Sequence, residues 1–122
     1  MIIVFLSNGN SEAAKRLLGH IQKEFCSHQI ETATTIKALW ERFHHPITER
    51  TILILVPENI RQLEELGNMG DLFNDRPILL VLPDRKPLTV STGHKLYPRF
   101  MSYADSDASC IAAVLSRMIE KR

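Results

Sequence analysis

Ser7-Asn8-Gly9-Asn10-Ser11-Glu12 is the stretch of this sequence best suited to hold a ligand. Hydroxyls and backbone N–H groups at a turn that opens a helix suit a phosphate, yet strand–turn–helix junctions commonly use the same residues simply to turn and cap. His44 and His45 adjoin each other, with His20, His28 and His94 scattered. Adjacent histidines point in different directions, and no second ligand pair has zinc spacing. A predicted helix end at this point favours a partly positive imidazole and suffices to explain the pair. Ser, His and Asp all occur, but no Gly-x-Ser-x-Gly elbow exposes a nucleophile. Neither a metal site nor a hydrolase is expected.

Charge placement says more than net charge. From Arg85 to Arg99 there are four basic residues (Arg85, Lys86, Lys95, Arg99), plus His94, and no acid. From Glu58 to Asp75 there are five acids (Glu58, Glu64, Glu65, Asp71, Asp75) against Arg61 alone. Two solvated faces of opposite sign account for this. So does a contact with a partner or a second copy, because opposite patches steer association and fix register.

The elements that must position these groups are legible from hydrophobic pattern. Ile2–Leu6, Ile52–Val56 and Ile78–Leu82 are short continuous aliphatic runs, which read as strands buried on both faces of a parallel sheet. Ile52–Val56 is expected at the centre. Ile30–Ala33 is a weaker, partly polar strand suited to an edge, and Phe100–Tyr103 is a short fifth one. Ala13, Leu17, Ile21 and Phe25 form one stripe of a first helix. Thr34 or Thr35 caps a second, with Ile36, Leu39, Trp40 and Phe43 as its buried face and Pro46 as its stop. Ile60, Leu63 and Leu66 face inward on a third, interrupted by Gly67 and Gly70, with Leu72 and Phe73 making a further contact. Asp105–Asp107 caps a last helix bearing Ile111, Leu115, Met118 and Ile119 on one side. Between Arg85 and Arg99 the residues Pro87, Thr89, Val90, Thr92, Gly93 and Pro98 disfavour a helix, so one or two irregular turns or a loop are expected there. The order βαβαβαβ–irregular–βα gives an α/β, three-layer, flavodoxin-like sandwich with a five-stranded parallel sheet.

At 122 residues the chain is expected to be one domain, 1–122. A formal charge of +1 gives no global reason to expect nucleic acid or an acidic membrane as partner, and no helix-turn-helix or basic-zipper pattern occurs. The apolar runs are far short of the ~20 residues that span a bilayer. Met1 leads into Ile2–Leu6 without a basic leader or cleavage site, so no secretory signal is expected and the mature chain is taken as the whole chain. Cys26 and Cys110, without CxxC spacing, suggest a reducing cytoplasm. Both are expected as buried or half-buried thiols, too far apart to pair.

Across its whole length this order of elements, with Pro77-Ile78-Leu79-Leu80-Val81 as a "PIIML"-like fourth strand, resembles the receiver domain of bacterial response regulators. The resemblance implies sheet order 2-1-3-4-5. It also implies a site: an acidic pair after the first strand for magnesium, a phosphoryl-accepting aspartate ending the third, a Thr or Ser ending the fourth, and a Lys ending the fifth. In this sequence the pair falls on Ser7 and Asn8, the acceptor on Val56, the hydroxyl on Leu82, and the lysine near Tyr103, with Ala104 or Asp105 as alternatives. Magnesium binds poorly without carboxylates, and valine has no atom that attacks phosphorus. Glu58, two residues beyond the acceptor position, is better used before the third helix.

The chain therefore looks like a pseudo-receiver, cytoplasmic and bacterial, that is not phosphorylated on aspartate and has no cofactor. In receivers the face of the fourth helix, fifth strand and fifth helix is the usual docking surface. It corresponds here to Arg85, Lys86, Lys95, Tyr97, Arg99 and Phe100, with Tyr103 beside them, and a protein partner or homodimer is expected on it. The alternative is a small-molecule module. Residues 7–12 also resemble the T-G-N-T-E phosphate loop of flavodoxins, which implies FMN or another phosphate ligand at the turn of residues 8–11. The glycine-rich, aromatic loops that complete a flavin site are missing.

Overall fold

The computed structural model describes residues 2–7, 12–44, 49–69, 73, 76–106 and 108–120. Pro46, Gly70, Leu72, Asp107 and the turn at residues 8–11, to which the sequence assigns stops, caps and contacts, lie outside the described residues. Strands β1 (Ile2–Leu6), β2 (Gln29–Ala33), β3 (Thr51–Leu55), β4 (Ile78–Leu82) and β5 (Phe100–Tyr103) alternate with helices α1 (Glu12–Glu24), α2 (Ile36–Phe43), α3 (Ile60–Asn68), α4 (Pro87–His94) and α5 (Ala108–Glu120). All strand pairs are parallel, in the order β2-β1-β3-β4-β5. The central strand is β3, and the polar β2 lies at an edge, as expected.

The aliphatic runs are continuous because both sheet faces are covered. Side chains alternate between the faces. Ile2, Val4, Leu6, Leu53, Leu55, Ile78, Leu80 and Leu82 pack under α2, α3 and α4, while Ile3, Phe5, Ile52, Ile54, Leu79 and Val81 pack under α1 and α5. Full burial of one such side chain contributes about 1.5–3 kcal/mol, so the three central strands dominate the core. Thr35 is the cap of α2, its hydroxyl accepting from the Ala38 N–H at 3.0 Å. Asn59 caps α3 by accepting from the Gln62 N–H at 2.9 Å. The third helix runs through Gly67 to Asn68 without interruption.

Several expectations need correction. Trp40 is 45% exposed, not part of the buried face of α2. One residue past Leu39, it stands at the border of the stripe, and its ring stacks on His44 with centroids 3.6 Å apart. Cys26 and Cys110 are both exposed, because Phe25 and Ile111 take the adjacent inward positions. Residues 87–94, expected as irregular turns or a loop, form two regular turns of helix. Pro87 sits in the first turn, where its missing N–H costs nothing. Asp84 accepts from the Lys86 N–H at 2.9 Å, and Thr92 donates its hydroxyl to Leu88 O at 2.7 Å. Thr89, Thr92 and Gly93 are buried against the sheet.

Candidate functional site

The carboxyl ends of β1, β3, β4 and β5 line up along one edge of the sheet, and Ser7, Val56, Leu82 and Tyr103 stand there side by side. Ser7 is buried, its N–H bonded to Ala33 O at 3.0 Å. Val56 is 5% exposed, and its N–H donates to Leu6 O at 3.0 Å, which extends the β1–β3 ladder by one rung. Its side chain turns toward α1 and α5. Pro57 follows it and is also buried. Leu82 is 0% exposed and pairs in register with the half-buried Tyr103, while its carbonyl accepts from Ala104 N at 2.9 Å. Of these side chains only the Ser7 hydroxyl and the Tyr103 phenol are polar. Asn8 lies outside the described residues. Glu58 is exposed, and its backbone N–H donates to Gln62 Oε1 at 2.7 Å. No group of three or more His, Cys, Asp or Glu side chains that could hold a metal occurs among the described residues.

The basic segment is divided by α4. Arg85 and Lys86 precede the helix at the carboxyl end of the sheet, whereas Lys95, Tyr97 and Arg99 follow it at the amino end. Eight residues of helix span about 12 Å, so the run of cations in sequence becomes two poles. At the first pole the Arg85 guanidinium lies 4.0 Å from the centre of the Tyr103 ring and 3.0 Å from Asp105 Oδ1. A cation thus stands beside the end of β5, supplied from the β4–α4 connection. Asp84 is held below the usual carboxylate range by the Lys86 N–H and then by the Thr89 hydroxyl. At the second pole Arg99 N donates to Ile78 O at 2.8 Å, which places its side chain next to the start of β4. Phe100 is half-buried and packs with the α1–α5 layer, on the other side of the sheet from α4. Hence the structure groups Ser7, Val56, Leu82 and Tyr103. It separates Arg85 and Lys86 from Lys95, Tyr97 and Arg99, and it sets Phe100 apart from both.

Sequence reasoning missed two participants. Asp105, read as a helix cap and as a lysine-position alternative, is the partner of Arg85. Arg76 belongs to the second pole, and its place directly before Pro77 and β4 was the available signal. His44 is taken up locally, its Nδ1 3.1 Å from Trp40 O.

The fold is that of CheY-like receiver domains. The structure is similar to that of the chemotaxis protein CheY4 of Vibrio cholerae, with a TM-score of 0.64 over 95% of this chain and 96% of that one. The two sequences are 13% identical, so the likeness is one of fold. No protein-family model and no curated protein matches the sequence. No helix among the described residues is long and apolar enough to cross a membrane.

Proposed function

We propose that residues 1–122 act as one receiver-like signalling domain that takes no phosphoryl group on aspartate and works by contact with a protein partner or a second copy. The observation that carries this reading is Val56, 5% exposed at the end of β3 and facing the α1–α5 core. A side chain without a nucleophilic atom cannot form an acyl phosphate, and burial leaves it no access to a donor. The fold shared with a chemotaxis protein favours signal relay over metabolism.

The contact surface in this reading is the side of α4 together with β5 and α5. Leu88 is 66% exposed and Tyr97 91%, the largest apolar exposures among the described residues. Lys86, Lys95 and Arg99 are exposed around them. Aromatic and arginine side chains contribute most where partners exclude water. Phe100 is better placed to support β5 than to touch a partner.

Intact-mass measurement after incubation with a small phosphodonor and magnesium tests the first half. Unchanged mass is expected, and an added phosphoryl group lost in Glu58→Gln would overturn it. For the second half, Lys95→Glu with Arg99→Glu should weaken a captured complex or a dimer while the melting temperature holds. Unaltered capture and sizing profiles would refute the surface.

A further inference from the structure

A cavity of about 430 Å³ opens at the amino end of the sheet, where α3 and α4 terminate and β4 and β5 begin. Its walls include Asn68, Arg76, Lys95, Leu96, Tyr97 and Arg99. The volume falls within the roughly 300–1,000 Å³ of small-molecule sites. This is the opposite end of the sheet from Ser7, Val56 and Leu82.

Among the described residues its walls carry unbalanced charge. Arg76, Lys95 and Arg99 bring three full positive charges, and no carboxylate among the described residues pairs with any of them. Both α3 and α4 direct C-terminal carbonyls to this end, which makes cations welcome there. Each helix end contributes only about half a negative charge, so among the described residues two of them leave an excess of about two positive charges. A phosphate monoester carries about −1.5 to −2 at neutral pH and matches that excess. Arg76 is already held in place: its Nη1 donates to Phe73 O at 3.2 Å, and its guanidinium lies 5.3 Å from the centre of the Phe43 ring.

Tyr97 adds an independent observation. Its φ is +50°, and it is the only described residue other than glycine with positive φ. The position after α4 is one where glycine would be cheaper, yet a tyrosine, 91% exposed, occupies it at the cavity. Local backbone strain that serves no packing points to a functional use. An exposed aromatic ring offers a stacking face for a planar base.

We infer that this cavity binds a phosphate monoester carrying a planar ring, a ligand of the nucleoside monophosphate class, with Arg76, Lys95 and Arg99 on the phosphate and Tyr97 against the base. The site shares Lys95, Tyr97 and Arg99 with the proposed docking surface, but the two are tested apart, because AMP binding is read on the isolated chain.

Calorimetric titration of the full chain at about 50 mM salt, with AMP and with ribose 5-phosphate, tests it. AMP should bind, and ribose 5-phosphate should bind about fivefold or more weakly for want of stacking. Arg99→Ala and Lys95→Ala should each weaken AMP about tenfold or more, and Arg99→Lys should recover part of the loss. Tyr97→Gly should bring AMP down to the level of ribose 5-phosphate. Circular dichroism melts accompany each variant; all three positions are exposed, so folding is expected to persist. Absence of AMP binding up to about 10 mM, affinity indifferent to Arg99→Ala, or equal binding of the two phosphates by the unaltered chain would overturn the assignment.

Discussion

Arg85 covers the ring of Tyr103, its guanidinium carbon 4.0 Å from the ring centre, and so ties the β4–α4 connection to the end of β5. Asp105, two residues past β5, holds the same guanidinium at 3.0 Å. Both side chains of the ion pair are more than half exposed. An exposed cation–π contact contributes about 0.5–1 kcal/mol, and an exposed ion pair less, falling with salt. A double-mutant cycle of Arg85→Ala with Tyr103→Leu, read by urea unfolding, should return a coupling of about 0.5–1 kcal/mol. The cycle with Asp105→Ala should give a smaller coupling that fades at high salt.

Glu31 and Arg42 fasten the edge strand β2 to α2 through two hydrogen bonds of 2.6 and 3.1 Å. The Arg42 bonds hold the Glu31 carboxyl below its usual range; burial opposes them, and Arg42's charge and the Gln29 amide add to them. The folded state therefore binds fewer protons at this group than the unfolded chain. Its contribution is fully present above the ordinary glutamate value near pH 4.3 and is lost as pH falls through the lower folded value. Glu31→Gln should cost about 1 kcal/mol at pH 7. Urea midpoints of the two proteins should converge as pH falls below the ordinary glutamate value and through the lower folded one.

At Gly93 α4 packs tightly on the sheet. A Cβ there would lie 3.0 Å from Leu82 Cδ2, 3.1 Å from Leu80 Cδ2 and 3.3 Å from Met101 Sδ. Gly93→Val should destabilise by about 1–3 kcal/mol through overpacking. Gly19, in the middle of α1, meets nothing within 4 Å. Gly19→Ala should stabilise by about 0.5–1 kcal/mol. Thermal or urea unfolding of the pair should show shifts of opposite sign.

Tyr97→Gly should raise stability by about 0.5–1 kcal/mol, because glycine accepts the left-handed backbone that strains tyrosine. With Tyr97 91% exposed, little packing is lost. Tyr97→Val should lower stability, since a β-branched residue tolerates this conformation least. Chemical denaturation of the three proteins separates these outcomes.

The buried strands could be read directly, because Ile2–Leu6, Ile52–Val56 and Ile78–Leu82 contain only residues that want both faces covered. The weak second strand was recognisable by its polar side chains and lies at the edge. α4 resisted prediction for a physical reason. The residues that disfavour a helix in isolation, Thr89, Thr92 and Gly93, are the small ones that let it sit close on β4 and β5. Tertiary packing thus overrides propensity over residues 87–94. The grouping of Ser7, Val56, Leu82 and Tyr103 followed from placing the receiver pattern on the strand ends. The cluster of Arg76, Lys95 and Arg99 did not, since it joins the beginnings of two strands to the end of a helix far apart in sequence. Counting cations along residues 85–99 also could not reveal that α4 holds them apart.

Val56 and Leu82 finish their strands roofed by hydrocarbon. Side chains of this kind cannot carry a charge that comes and goes. Under the proposed signalling role, such a domain keeps no internal clock. In that role the moment at which it speaks would be set by its supply and by whatever meets its flanks.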